Sequence, residues 1–156
     1  MLAARFERAA HIESDMVGET FIVTGMVPPQ GPPPDEASAQ LELRRKNICL
    51  LADSFADAGF FPVIDDVVVS PGVLDLYRRL LRTRPLLLVE LVPSLDVVRA
   101  RDQGRDKHVF SLWGHLDAQL RTSMPRVGLW IDTSSMTAEQ TVDLIMTNPG
   151  EASIAT

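Results

Sequence analysis

Phe60-Phe61-Pro62-Val63-Ile64-Asp65-Asp66-Val67-Val68-Val69-Ser70-Pro71 is a β-branched apolar run with two adjacent carboxylates set into it and a turn signal at its end. A near-continuous run of this kind reads as a strand buried on both faces, the habit of parallel sheets covered by helices. An unpartnered carboxylate inside such a layer costs roughly several kcal/mol. The Asp pair is therefore expected where the strand emerges into a cleft, at its C-terminal end, which is where open α/β sheets bind ligands. Side chains alternate along a strand, so only one of Asp65 and Asp66 should face that cleft.

Outward from this stretch the chain alternates. On the N-terminal side, residues 2–9 read as a helix and His11-Ile12-Glu13 as a short strand ending at Ser14-Asp15. A second helix is expected through Met16, Phe21 and Val23 to about Gly25. Pro28-Pro29-Gln30-Gly31-Pro32-Pro33-Pro34 holds five prolines in seven residues, which neither a helix nor a central strand can cross. It reads as a stiff connector, with a wall over a substrate site as the alternative. A long helix then opens at Asp35 as N-cap. Ala37, Leu41, Ile48, Leu51, Phe55 and Ala58 form its apolar face; Glu42, Lys46, Asp53 and Asp57 line another face, and Gly59 is its stop.

On the C-terminal side, Ser70-Pro71 is an N-cap with proline at the first helical position, opening a helix to about Arg82. Residues 85–92 read as a buried strand with Glu90 near its exit, followed by a helix from Pro93-Ser94. A helix over 108–122, a strand over 127–131 and a capping box at Thr137-Ala138-Glu139-Gln140 complete the pattern. The expectation is one α/β domain over residues 1–149, a three-layer parallel sheet with helices on both faces, and a loose tail over 150–156.

Composition narrows the functional classes. With 15 Lys and Arg against 21 Asp and Glu, the net charge is −6, which leaves no basic excess for nucleic acid. Cys49 is the only cysteine, so an intrachain disulfide or a cysteine-based zinc site is excluded; its apolar neighbours predict a buried thiol. No apolar run approaches the roughly 18 residues of a membrane span, and no signal-peptide core follows Met1. A cytoplasmic protein with neither nucleic-acid nor membrane partner is expected. His11, His108 and His115 lack metalloenzyme spacing, and no Gly-x-Ser-x-Gly elbow is present.

Three predicted strand exits carry acidic or hydroxyl groups: Glu13-Ser14-Asp15, Asp65-Asp66 and Asp132-Thr133-Ser134. Asp132 reads as a cap, Asp15 and Asp66 as functional. Arg99-Ala100-Arg101-Asp102-Gln103-Gly104-Arg105-Asp106-Lys107-His108 is either a solvated, self-paired helix end or an arginine-bearing flap suited to phosphates.

In this order and spacing the exits and the arginine segment resemble the small P-loop kinases of the chloramphenicol phosphotransferase-like group, from the first helix to about Thr147. The resemblance implies phosphoryl transfer from ATP, with Mg²⁺, to a hydroxyl of a small molecule. It implies Asp15 as general base, Asp66 orienting substrate or a metal-bound water, Glu13 and Asp65 at the substrate, and Arg101, Arg105 and Thr133 at the nucleotide. The family opens on a strand and Gly-x-x-x-x-Gly-Lys-Ser/Thr; neither lysine here, Lys46 or Lys107, follows a glycine, so that loop is absent from the sequence. In that family the first strand lies mid-sheet, and its loss removes a row of backbone partners. Two expectations follow. Either the sequence begins at an internal methionine past the phosphate loop, or the chain is a shortened relative. The chain alone is then inactive or nearly so, or it serves as a non-catalytic binding or assembly module whose homo-oligomer covers the gap.

Overall fold

The computed structural model describes residues 1–104 and 110–154. It is a mixed α/β structure with two compact units, one of Leu2–Val67 and Leu76–Thr83, the other of Val68–Asp75 and Arg84–Thr156 with Met1.

In the first unit a single 3₁₀ turn, Leu2–Arg5, leads to strand β1, Ala9–Glu13, where the sequence predicts a helix over 2–9. Phe6 lies stacked on Phe61 with ring centroids 4.0 Å apart, drawn out of helical spacing onto the neighbouring strand. The expected helix after Asp15 is only a π-type turn, Met16–Thr20. Beyond it Gly25 takes φ 76°, and the proline segment turns tightly, Gly31 N–H donating to Pro28 O at 2.8 Å. Gln40 pins the lead-in, accepting from Val27 N–H at 2.8 Å and donating to Gly25 O at 2.9 Å. The segment joins this turn to the long helix that follows.

Helix α1, Pro34–Asp57, is the crossover that a parallel strand pair requires. It begins after extended Pro33 with no side-chain cap, so Asp35 lies in its first turn with Glu36, where carboxylates favour the helix dipole. Of the expected apolar face Ala37 and Ile48 are buried, Leu41 and Leu51 half-buried, and Phe55 and Ala58 exposed; Cys49, as expected, and Ala52 are buried as well. Asp53, assigned by its spacing to a polar face, is buried too. Its carboxylate accepts from Arg82 N–H, Thr83 N–H and the Thr83 hydroxyl at 2.8–3.1 Å. Gly59, at φ 80°, ends the helix as predicted and releases the chain into β2, Phe61–Asp65. β1 and β2 pair in parallel, from Ala9↔Phe61 to Glu13↔Asp65.

Helix α2, Pro71–Leu80, starts at the predicted Ser70-Pro71 signal, with Val73 N–H on the Ser70 hydroxyl at 3.4 Å. In the second unit the single strand expected over 85–92 is two, β3, Leu86–Leu87, and β4, Val89–Leu91. The break is at Leu88, whose N–H goes to Ala152 O and whose carbonyl takes Leu129 N–H. After β4, Ser94 caps helix α3, Leu95–Gln103, through Val97 N–H. The helix expected over 108–122 is α4, Phe110–Trp113, and α5, His115–Ser123; its first residues, His108 among them, lie outside the described residues. β5, Leu129–Ile131, pairs in parallel with β4. The predicted capping box is present, Thr137 and Gln140 each accepting the other's backbone N–H, and opens α6, Ala138–Thr147.

The expected loose tail is ordered at its start. A short helix α7, Pro149–Ala152, leads to β6, Ser153–Ile154, which pairs antiparallel with β3, and Ala152 and Ile154 are buried. Leu74, Val92, Leu120, Met124 and Ile154 form one core of this unit, and Leu129, Ile131 and Ala152 another. Among the described residues the strands thus make three separate two-stranded ladders, two of them parallel.

Candidate functional site

Parallel register brings the first two acidic exits together. Glu13 and Asp65 are cross-strand partners at the carboxyl ends of β1 and β2. His11, two residues before Glu13 and so on the same face, stands between them, Nδ1 3.5 Å from Glu13 and Nε2 3.9 Å from Asp65. All three side chains are exposed, so the contacts contribute little to stability, and the carboxylates remain open to a ligand.

Asp66, one residue beyond β2, does the opposite. Its side chain is 1% exposed. Arg45 Nε donates to it at 3.1 Å, Arg44 Nη2 at 3.3 Å and the Tyr77 hydroxyl at 2.7 Å. The two adjacent aspartates alternate as strand geometry requires, Asp65 exposed and Asp66 turned inward. The role expected of Asp66 toward substrate or a metal-bound water does not fit this placement, because protein donors already occupy its oxygens. Burial first, and then the Asp66 charge, push the Tyr77 phenol upward, so it stays a neutral donor. Burial and the charges of Asp53 and Asp66 likewise push Cys49 up to about 12, as expected of a structural thiol.

Arg44 connects the buried aspartate to the exposed one. Its Nη1 donates to Asp15 Oδ1 at 3.1 Å, and Asp15 is 74% exposed, following directly on the Glu13 end of β1. The stem of Arg44 runs past Gly18, where an added Cβ would come within 2.7 Å of Arg44 Cδ. Arg44, Arg45 and Tyr77 were not singled out from the sequence. A signal exists for the two arginines: they sit one helical turn before Ile48 and Cys49, both buried in α1. A cleft of about 30 Å³ between the strap after Asp15 and α1, lined by Gly18, Met26, Pro29, Gln40 and Arg44 among others, has room for a water molecule and not for a substrate.

The third exit and the arginine segment belong to the second unit. Arg101 lies across the loop after β5, donating to Thr133 O at 2.8 Å, Thr133 Oγ1 at 3.3 Å and Met136 O at 3.4 Å. Arg101 and Thr133 therefore do come together, but as parts of one loop scaffold. Arg105 lies outside the described residues. Asp132 caps no helix, contrary to the sequence expectation, since Thr137 caps α6; it closes a turn after β5 by accepting from Ser134 N–H and the Ser134 hydroxyl, and hydrogen bonding to Ser134 holds its carboxyl below the usual range. Ser134 Oγ in turn accepts Ser94 N–H at 2.8 Å. In β4, Glu90 is 8% exposed with Oε1 unpartnered, and burial pushes it up to about 7.

Among the described residues no group of three or more His, Cys, Asp or Glu side chains is placed to hold a metal ion. None of their helices is long and apolar enough to cross a membrane. No family model matches the chain, and no curated protein matches it.

Proposed function

We propose that the chain provides the acceptor side of a P-loop kinase-like phosphotransferase, binding a small hydroxyl-bearing molecule at the carboxyl ends of β1 and β2. One observation carries the reading: Glu13 and Asp65 stand side by side at the ends of parallel strands, with Asp15 exposed two residues beyond Glu13. Glu13 and Asp65 accept hydrogen bonds from the ligand, and Asp15 takes the hydroxyl proton as general base, a role that requires a carboxylate within reach of the reacting oxygen. Asp66 acts behind them. ATP is the donor by resemblance. The sequence contains no Gly-x-x-x-x-Gly-Lys-Ser/Thr, and Arg101 is engaged with its own loop, so these 156 residues bind acceptor without turning over ATP.

The test is titration of the isotope-labelled chain with small alcohols, amino alcohols and phenols, following the amides of Glu13, Asp15 and Asp65. A hydroxyl-bearing member should shift these amides, and its deoxy analogue should bind about tenfold more weakly, the loss of one hydrogen bond to a charged group. Equal binding of both, or steady ATP turnover by the chain alone, would refute the reading.

A second reading, an assembly module without catalysis, draws on the three separate ladders. A two-stranded parallel pair taken by itself has outer edges that accept a further strand. Sedimentation equilibrium separates the readings, since assembly predicts a dimer whose population rises with concentration.

A further inference from the structure

We propose that Arg44 is the positioning residue of this site: anchored from inside by Asp66, it holds the Asp15 carboxylate in one orientation at the end of β1. The use of Asp15 as a base rests on the phosphotransferase reading, whereas the mechanical link does not.

An ordinary surface ion pair is weak because both long side chains give up rotamers to form it. Here Arg44 is only 10% exposed, and its guanidinium is held at Nη2 by Asp66. Asp66 in turn is held by Arg45 and Tyr77. Folding has therefore already fixed the donor, and only the short Asp15 side chain remains to be ordered. The planar fork suits this, since it can direct Nη1 and Nη2 at two different carboxylates. Asp15 and Asp66 do not need to touch; Arg44 carries the constraint from one to the other. Gly18 completes the device, because any side chain there would displace the Arg44 stem. For a general base the constraint matters, since small misplacements of a reacting group cost large factors in rate.

The family resemblance implies parallel roles for Asp15 and Asp66 toward a ligand. The geometry points to a series arrangement instead, with Asp66 as anchor, Arg44 as arm and Asp15 as the group presented.

Three-bond couplings from backbone nitrogen and carbonyl to the Asp15 Cγ report its χ1 populations and test this directly. The wild-type chain should show one dominant staggered rotamer. Gly18→Ala, Arg44→Lys and Asp66→Asn should each spread Asp15 over the three wells, while the backbone shifts of Ala9–Glu13 and Phe61–Asp65 stay in place. The Asp66 variant is the most informative, because a purely local pair would not transmit its loss. If it fails to fold, Gly18→Ala leaves every charge in place and decides the matter. Averaged Asp15 couplings in the wild type, or wild-type couplings in Gly18→Ala, would overturn the proposal. If no alcohol binds at Glu13 and Asp65 and the couplings still respond, the phosphotransferase reading fails and the positioning link stands.

Discussion

Replacing Asp66 with alanine should unfold this protein more readily than any other single change at the candidate site. The carboxylate is 1% exposed and receives three donors, two of them charged. Each hydrogen bond to a charged group is worth about 1.5–3 kcal/mol, so simple addition gives roughly 4.5–9 kcal/mol. Addition overstates the loss, because Arg44 and Arg45, 10% and 15% exposed, lie near enough to water to recover part of their solvation. Breaking a buried pair by removing one partner costs about 3–5 kcal/mol, and that is the magnitude expected here. Tyr77→Phe removes only the phenol hydrogen bond and should cost about 1.5–3 kcal/mol. In the double variant most of that second cost should vanish, since the phenol has already lost its acceptor. Urea unfolding followed by circular dichroism at pH 7 measures all three differences. A loss under about 1 kcal/mol for Asp66→Ala with an unchanged denaturant slope would refute the buried anchor and return Asp66 to the solvent-facing role expected from sequence.

Glu90→Leu should stabilise the protein at pH 8 by about 2–3 kcal/mol. Burial raises the Glu90 carboxyl from its ordinary 4.5 to about 7, so its contribution is complete below about 4.5 and lost as pH rises through about 7. Urea midpoints at pH 5 and pH 8 should converge in the variant; an unchanged gap would count against burial of an unpaired carboxyl. Asp53 should show the opposite slope. Burial alone would raise its carboxyl, but hydrogen bonds from Thr83 and Arg82 outweigh that and hold it below the usual range. Its stabilisation is therefore full above the unfolded value and lost as pH falls through the folded one. Asp53→Asn should lower stability by about 2 kcal/mol at pH 7 and flatten the acid limb of a thermal-melt series. Gly128→Ala should cost about 2–4 kcal/mol in the same denaturation assay, because φ is 75° and a Cβ there would lie 2.6 Å from Leu88 O.

Elements with explicit chemical punctuation were legible in the sequence. Ser70-Pro71, Ser94 and the Thr137–Gln140 box start helices where they stand, and Gly59 stops one, because these signals act through bonds to the nearest few residues. What misled was spacing without punctuation. Leu2, Phe6 and Ala9 have helical intervals, yet Phe6 is held by Phe61, fifty-five residues away. Leu86 to Val92 looks like one strand, but its interruption at Leu88 depends on Ala152 and Leu129, which no local reading contains. The site divides the same way. The placement of Glu13 and Asp65 at adjoining strand ends follows from two strand assignments and a parallel sheet, and it could be read. The inward turn of Asp66 needed a partner, and its partners lie on two helices. A carboxylate followed by three valines does not show where its cations come from.

The pairing of β3 with β6 sets an order of events during synthesis. Ile154 is synthesised 68 residues after Leu86, its partner in the ladder. At about 5–20 residues per second that is a wait of roughly 3–14 s, during which Leu86, Leu88 and Val92 lack the strand that covers them. The unit built from Leu2–Val67 and Leu76–Thr83 has no such wait, since all of its residues are synthesised before Leu86. The nascent chain therefore passes through a stage with one folded unit and one apolar, unclosed segment. That stage is where a chaperone would bind, and where slowed translation between Leu86 and Ile154 would lower the yield of folded protein.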